Sequence, residues 1–247
     1  MDVKNNFSSR RSPRNESIIP KHYDVHLTTD LDSGQFCGSV TIDLIVEQEN
    51  QNSIKLDATQ LVIDLSSISL ILSSTSKLVP CTAEYHDQLD LLEIFLGDNQ
   101  RFSCHCSYRL IINSFSGHLN IDSQTGFYRS SVDAIASTQS GFHQFSVVKK
   151  HYGLTQMSPT HCRRVFPCFD EPSLRATFDL TLDIPRHMKA LSNMPQQSVY
   201  DNFLNSGTKR IRFQRTPSMP TFLLCFVIGE FDVVQTEPVQ RLKQNAE

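Results

Sequence analysis

The chain has 247 residues, a formal charge of −3 and 39% hydrophobic residues, enough to bury the core of one large domain. An acidic balance without a run of lysine or arginine argues against a nucleic-acid-binding surface. Seven cysteines, an odd number without regular spacing, suit reduced thiols better than a disulfide framework.

The first 17 residues are polar and lack the continuous apolar stretch of a signal peptide or anchor, so the expected location is cytoplasmic. Residues 1–13 read as a polar tail. His22 to Thr28 and Phe36 to Glu47 alternate apolar and polar residues with period two, and the Asp, Ser and Gly of Asp30 to Gly34 suit a tight connection, which predicts a hairpin. Further strands are predicted at 53–57, 61–72, 90–96 and 101–112. In the last of these Phe102, Cys104, Cys106, Tyr108 and Leu110 fall on one face, so Cys104, His105 and Cys106 read as strand residues, not metal ligands. Beyond the middle of the chain, Phe178, Leu180, Leu182 and Ile184 alternate with Asp179, Thr181 and Asp183, and Arg210 to Gln214 alternates about Ile211 and Phe213. Phe222 to Gly229 is far shorter than the ~20 residues of a membrane-spanning helix and reads as a buried strand, so no membrane partner is expected. No long amphipathic helix and no internal repeat interrupts this pattern. The fold class is mainly β, an antiparallel saddle or sandwich over residues 14–235, with a polar tail at 236–247 that is frayed or a short helix.

The densest polar and turn-forming run is Thr155 to Pro172, TQMSPTHCRRVFPCFDEP. Ser158 followed by Pro159 predicts a capped helix start and a short helix over Thr160 to Val165. Arg163 and Arg164 precede Asp170 and Glu171 with Pro167 and Pro172 between and after them, which points to a stiff, ion-paired anchor and not to an acid–base pair. Cys162 has His161 and Arg163 as sequence neighbours, but adjacency does not bring side chains together, so neither Cys162 nor Cys168 is read as a nucleophile. From the residues alone, Gln156 caps or crosses this loop.

These segments carry a resemblance. Arg14 to Leu27, Phe115 to Ser130, the run from Thr155, Ala176 to Pro195 and Pro217 to Asp232 occur in the order seen in the N-terminal domain of the gluzincin zinc aminopeptidases, the group that includes aminopeptidase N and the puromycin-sensitive aminopeptidases. The resemblance implies a saddle-shaped β domain that covers a catalytic domain, in an enzyme that removes N-terminal residues from peptides. It implies that Gln156 accepts a hydrogen bond from the substrate's α-ammonium. Two positions on, several family members carry an acidic or amide side chain where this chain has Ser158, which adds no negative charge, so Ser158 is not carried over. The family's zinc is held by a His-Glu-x-x-His helix and a later glutamate, and a Gly-Ala-Met-Glu-Asn loop grips the substrate amine. None of the nine histidines is followed by glutamate, so the zinc ligands are absent and no catalytic or metal residue is assigned. The chain alone is expected to be catalytically silent, with a peptide N-terminus and a catalytic domain or full-length relative as partners. The rival readings are a non-catalytic interaction module and an incomplete gene product.

Overall fold

The structure is a computed structural model that describes residues 17–48, 51–97, 100–137, 145–201, 207–232 and 234. Both expected tails, 1–13 and 236–247, lie outside the described residues. Among the described residues the strands are sixteen, beginning with β1 Ile18–Asp30, β2 Gln35–Val46, β3 Ser53–Asp57, β4 Leu61–Ile63, β5 Ile68–Leu72, β6 Lys77–Val79, β7 Cys81–His86 and β8 Leu91–Leu96. They continue with β9 Ser107–His118, β10 Gly126–Ser137, β11 Phe145–Gln156, β12 Thr177–Pro185, β13 Lys189–Ser192, β14 Gln196–Asp201, β15 Thr208–Phe213 and β16 Phe226–Gly229. Helical structure among the described residues is confined to single 3₁₀ turns.

The β1–β2 hairpin organises the molecule. Asp30 Oδ1 accepts from the Asp32 and Ser33 amides, and Gly34 takes φ +70°, the left-handed step glycine makes without strain. Val25 then pairs with Val40 and Tyr23 with Ile42, which places one apolar face of each strand on the same side. The hairpin sits inside a nine-stranded sheet ordered β14-β15-β12-β1-β2-β9-β5-β6, with β4 also on β9. A three-stranded sheet, β3-β8-β7, and a four-stranded sheet, β10-β11-β16-β13, complete the fold. One hydrophobic cluster joins their inner faces. It includes Tyr23, Val25, Ile42 and Phe178 from the large sheet, Ile54, Leu56 and Ile94 from the second, and Phe127, Phe226 and Ile228 from the third. The mainly-β expectation holds, with a difference in detail: β1 and β12 run parallel, the one parallel pair among the named strands.

Three predicted elements are corrected. The expected strand 101–112 begins at Ser107, because His105 takes φ +58° and turns the preceding residues onto the end of β2 through His105 N to Val46 O (2.7 Å) and Val46 N to Cys106 O (3.1 Å). Phe102 keeps its burial by packing edge-on against Tyr108 at 5.0 Å. The expected strand 61–72 divides into β4 and β5, separated by a 3₁₀ turn at Leu65–Ser67 that Asp64 caps by accepting from the Ser66 amide. The expected strand Phe222 to Gly229 shortens to β16, since Thr221–Leu223 forms a 3₁₀ turn.

The polar face of the large sheet is tied by ion pairs. Asp179 and Asp183 of β12 are buried although they point away from the core. Arg210 grips both oxygens of Asp183 (2.7 and 2.7 Å) beside His26 Nε2 (3.0 Å), and Arg215 grips both oxygens of Asp179 (2.9 and 2.9 Å). Burial opposes the ionised form of Asp183, but Arg210 and His26 outweigh it and hold the carboxyl well below its ordinary range. The Arg215 bonds hold Asp179 down likewise. Burial and Arg215 lower His22 below its usual value.

The signs agree. A carboxyl with a depressed folded pKa contributes stability above its unfolded value and loses it as pH falls toward the folded one. A histidine with a depressed folded pKa lets the unfolded chain take up its proton first, which also destabilises the fold on acidification. Urea midpoints are expected to decline slightly below about pH 6.5 and steeply below about pH 4. Arg210→Met should flatten the steeper limb, and a midpoint independent of pH from 7 to about 3 would refute this account.

Candidate functional site

The site residue singled out from sequence, Gln156, is the last residue of β11 and is exposed. Its side chain makes no hydrogen bond to another described residue, so it neither caps nor crosses the loop. Its backbone is held from three directions. Thr155 Oγ1 donates to Phe226 O (3.1 Å) and accepts from Phe226 N (2.9 Å), which fastens β11 to β16. Met157 is buried in the core and its carbonyl accepts from the His161 amide (2.8 Å). Across the hairpin, Gln156 pairs with Gly126, which has φ +67°. A Cβ at Gly126 would lie 2.8 Å from Arg164 Cβ, so only glycine lets the start of β10 approach the Arg164 turn this closely.

The expected helix over Thr160 to Val165 is corrected to a single 3₁₀ turn, Cys162–Arg164. Ser158 does not cap it: the turn begins at Cys162, and His161 precedes it without a side-chain cap. The turn is set from outside by long-range contacts. The Thr59 amide donates to Arg163 O (2.9 Å), and Asp57 and Cys168 exchange both backbone bonds, Asp57 N to Cys168 O (2.8 Å) and Cys168 N to Asp57 O (3.1 Å). These bonds join the 155–172 segment to β3.

The expected ion-paired anchor is present, with one partner the sequence did not reveal. Arg163 Nε lies 3.0 Å from Asp170 Oδ2, while its Nη1 lies 3.0 Å from Asp57 Oδ1. Asp170 Oδ1 also accepts from Thr221 Oγ1 (2.9 Å), and the Asp170 amide donates to Asp57 Oδ2 (3.0 Å). Burial pushes the Asp57 carboxyl up, opposed by the Arg163 charge. Arg164 turns away and donates to Gln60 Oε1 (3.0 Å). Asp57 and Thr221 were missed because nothing in their local sequence marks them; they become partners only through the fold.

Cys162, Cys168 and Asp170 offer ligand atoms within 4.8 Å of one another, the one such group among the described residues. They do not fit zinc. Both Asp170 oxygens are already used, the Arg163 guanidinium beside them opposes a dication, and burial pushes both thiols up, away from the thiolate a metal needs. The same burial leaves neither cysteine suited to nucleophilic attack. Cys104, His105 and Cys106 form no convergent group: the Cys104 thiol donates to Glu47 O (3.1 Å) instead.

Three sheets around one core thus make up a mainly β domain that carries an exposed glutamine at a clamped strand end. Residues 19–223 match the peptidase M1 N-terminal domain, and the chain belongs to that family. It is 33% identical over 225 residues to aminopeptidase M1 of Arabidopsis thaliana, covering 91% of this chain and 23% of the relative. It is 32% identical over 219 residues to the puromycin-sensitive aminopeptidase of Caenorhabditis elegans, covering 88% and 21%. Aminopeptidase 2, mitochondrial, of Saccharomyces cerevisiae is 29% identical over 222 residues, at 90% and 21%. The chain therefore spans less than a quarter of the length of these relatives. Among the described residues, no helix is long and apolar enough to cross a membrane.

Proposed function

We propose that residues 14–235 form the substrate-capping domain of a cytoplasmic, zinc-dependent aminopeptidase that removes N-terminal residues from peptides. The zinc ligands of such an enzyme belong to a catalytic domain outside this chain, and the chain alone is without peptidase activity. Gln156 accepts a hydrogen bond from the substrate's α-ammonium through its amide oxygen. A neutral amide suits this task, because it orients a cation without burying a second charge, and a substrate lacking the ammonium leaves it unpaired. The supporting observation is that Gln156 is exposed and without a described side-chain partner while Thr155 and Met157 on either side are fixed. The side chain is thus aimed by its backbone and free to bond.

The test is a chimera in which residues 1–247 replace the matching segment of the Caenorhabditis elegans relative. Gln156→Leu is expected to lower kcat/KM for an aminoacyl p-nitroanilide by about ten- to a hundred-fold, the worth of a hydrogen bond to a charged group. Gln156→Glu should keep most of the activity. Equal kcat/KM for the parent chimera and Gln156→Leu would rule out this role.

A further inference from the structure

We infer that the polar face of the nine-stranded sheet carries a binding site for a free α-amino acid in its zwitterionic form, with Asp24 taking the ammonium and Arg212 the carboxylate. Gln156 belongs to the four-stranded sheet, so this site is separate from the capping function proposed above.

Most charges on this face answer one another within the fold. Asp183 is held by Arg210 and His26, Asp43 by Arg109, and both oxygens of Asp179 by Arg215. Two charges of opposite sign are left over. Asp24 is exposed, and its carboxylate makes no hydrogen bond or ion pair with a described residue. Arg212 makes a single bond, Nη2 to Asp179 Oδ2 at 3.2 Å, to a carboxylate that Arg215 already grips on both oxygens. Its Nε is buried without a hydrogen-bond partner. An unanswered buried N–H is rare in folded proteins, and here it belongs to a guanidinium whose bonding capacity the fold has not spent.

The register brings these two charges to the scale of one small molecule. Asp24 of β1 pairs with Asp179 of the parallel strand β12, and Arg212 of β15 reaches over to that same Asp179. The guanidinium is thereby brought within about one strand spacing, ~5 Å, of Asp24 without pairing with it. Both residues line an open groove of about 290 Å³ across the sheet. Between them lie the short side chains of Ser39, Thr41 and Thr181, whose hydroxyls have no hydrogen-bond partner among the described residues. Tyr200, paired with Arg210 across β14 and β15, is 47% exposed at the edge of the groove. These features select the ligand by its charges. A simple anion leaves Asp24 unanswered and is repelled by it, and a simple cation meets the same objection from Arg212. An α-amino acid carries an ammonium and a carboxylate on one carbon and answers both. A dipeptide sets the two charges about 3.5 Å further apart. The volume is at the low end for small-molecule pockets, and the lining of charged and hydroxyl groups suits an amino acid with a small or polar side chain.

Binding to the 247-residue chain is read by saturation-transfer NMR of the ligand, with L-alanine as the probe. L-alanine is expected to saturate with a Kd of about 1 mM or below. Propionate, which lacks the ammonium, L-alaninamide, which lacks the carboxylate, and L-alanyl-L-alanine should each bind about tenfold or more weakly. Asp24→Asn removes a charge that holds no partner in the fold and should bring L-alanine down to the level of propionate. Arg212→Met should weaken L-alanine and propionate alike, whereas Arg109→Met, on the same face outside the groove, leaves both unchanged. Urea midpoints establish that each variant is folded. Equal binding of L-alanine and propionate, unmoved by Asp24→Asn, would overturn the inference in favour of a plain anion site. L-alanyl-L-alanine binding as tightly as L-alanine would replace the free amino acid with a short peptide. If none of the four probes saturates by about 50 mM, the two charges are simply solvated and the site does not exist.

Discussion

Replacing Arg163 with methionine is expected to destabilise the fold by about 3–5 kcal/mol, measured as the loss of unfolding free energy in urea. The side chain of Asp170 is 1% exposed and that of Asp57 13%, and Arg163 is the cation within salt-bridge distance of both. Removing it leaves two carboxylates at the junction of the 155–172 segment with β3, one of them almost without access to water. The cost is that of the stranded charges, and a methionine of similar length does nothing to offset it. Arg109 provides the comparison. It grips both oxygens of the single carboxylate of Asp43, at 2.7 and 3.0 Å, but is half exposed, so Arg109→Met should cost at most about 1 kcal/mol. Equal losses for the two variants would show that burial does not set the value of the Arg163 contacts.

Phe178→Ala is expected to cost about 3–5 kcal/mol, by lost burial and by the cavity left behind. Phe178 is fully buried and stacks on Tyr23 with ring centroids 4.9 Å apart and planes 9° apart. The stack joins the two parallel strands, β1 and β12, whose pairing brings the second half of the chain onto the first. The Tyr23 hydroxyl accepts from the Phe169 amide (3.1 Å), next to Asp170, so a ring loosened by the cavity also loosens the Arg163 anchor. The double variant Phe178→Ala, Arg163→Met should therefore lose less than the sum of the two singles, a difference beyond about 0.5 kcal/mol. Strict additivity would mean that the stack and the anchor are independent.

These two contacts show where sequence reading succeeds and where it stops. The β1–β2 hairpin was legible because its signal is local: alternation with period two on both sides of Asp30 to Gly34. The partnership of Arg163 with Asp170 was legible because the two are seven residues apart in a proline-stiffened run. The strand at 101–106 was misread although its apolar alternation was real. Phe102 is buried as that alternation requires, but a single left-handed residue, His105, breaks the extended path. The helix at Thr160 to Val165 was misread because a capping motif is a local preference, and bonds from Asp57 and Thr59 impose a different path. The hairpin of β10 and β11 gave no usable signal, since exposed residues such as Ser131, Val132 and Asp133 follow one another there without alternation.

By itself the sequence determined the β class, the membership of the family, the absence of the His-Glu-x-x-His zinc motif and the candidacy of Gln156. Each depends on residue identity or on spacing along the chain. The tertiary structure alone decided that Arg163 answers to Asp57 as well as Asp170, that β1 and β12 run parallel, and that Tyr128, Leu154, Val227 and Leu191 fall in one row on the same face of the four-stranded sheet. Alternation tells which side of a strand is apolar; only the pairing of strands distant in sequence tells whether another sheet covers that side.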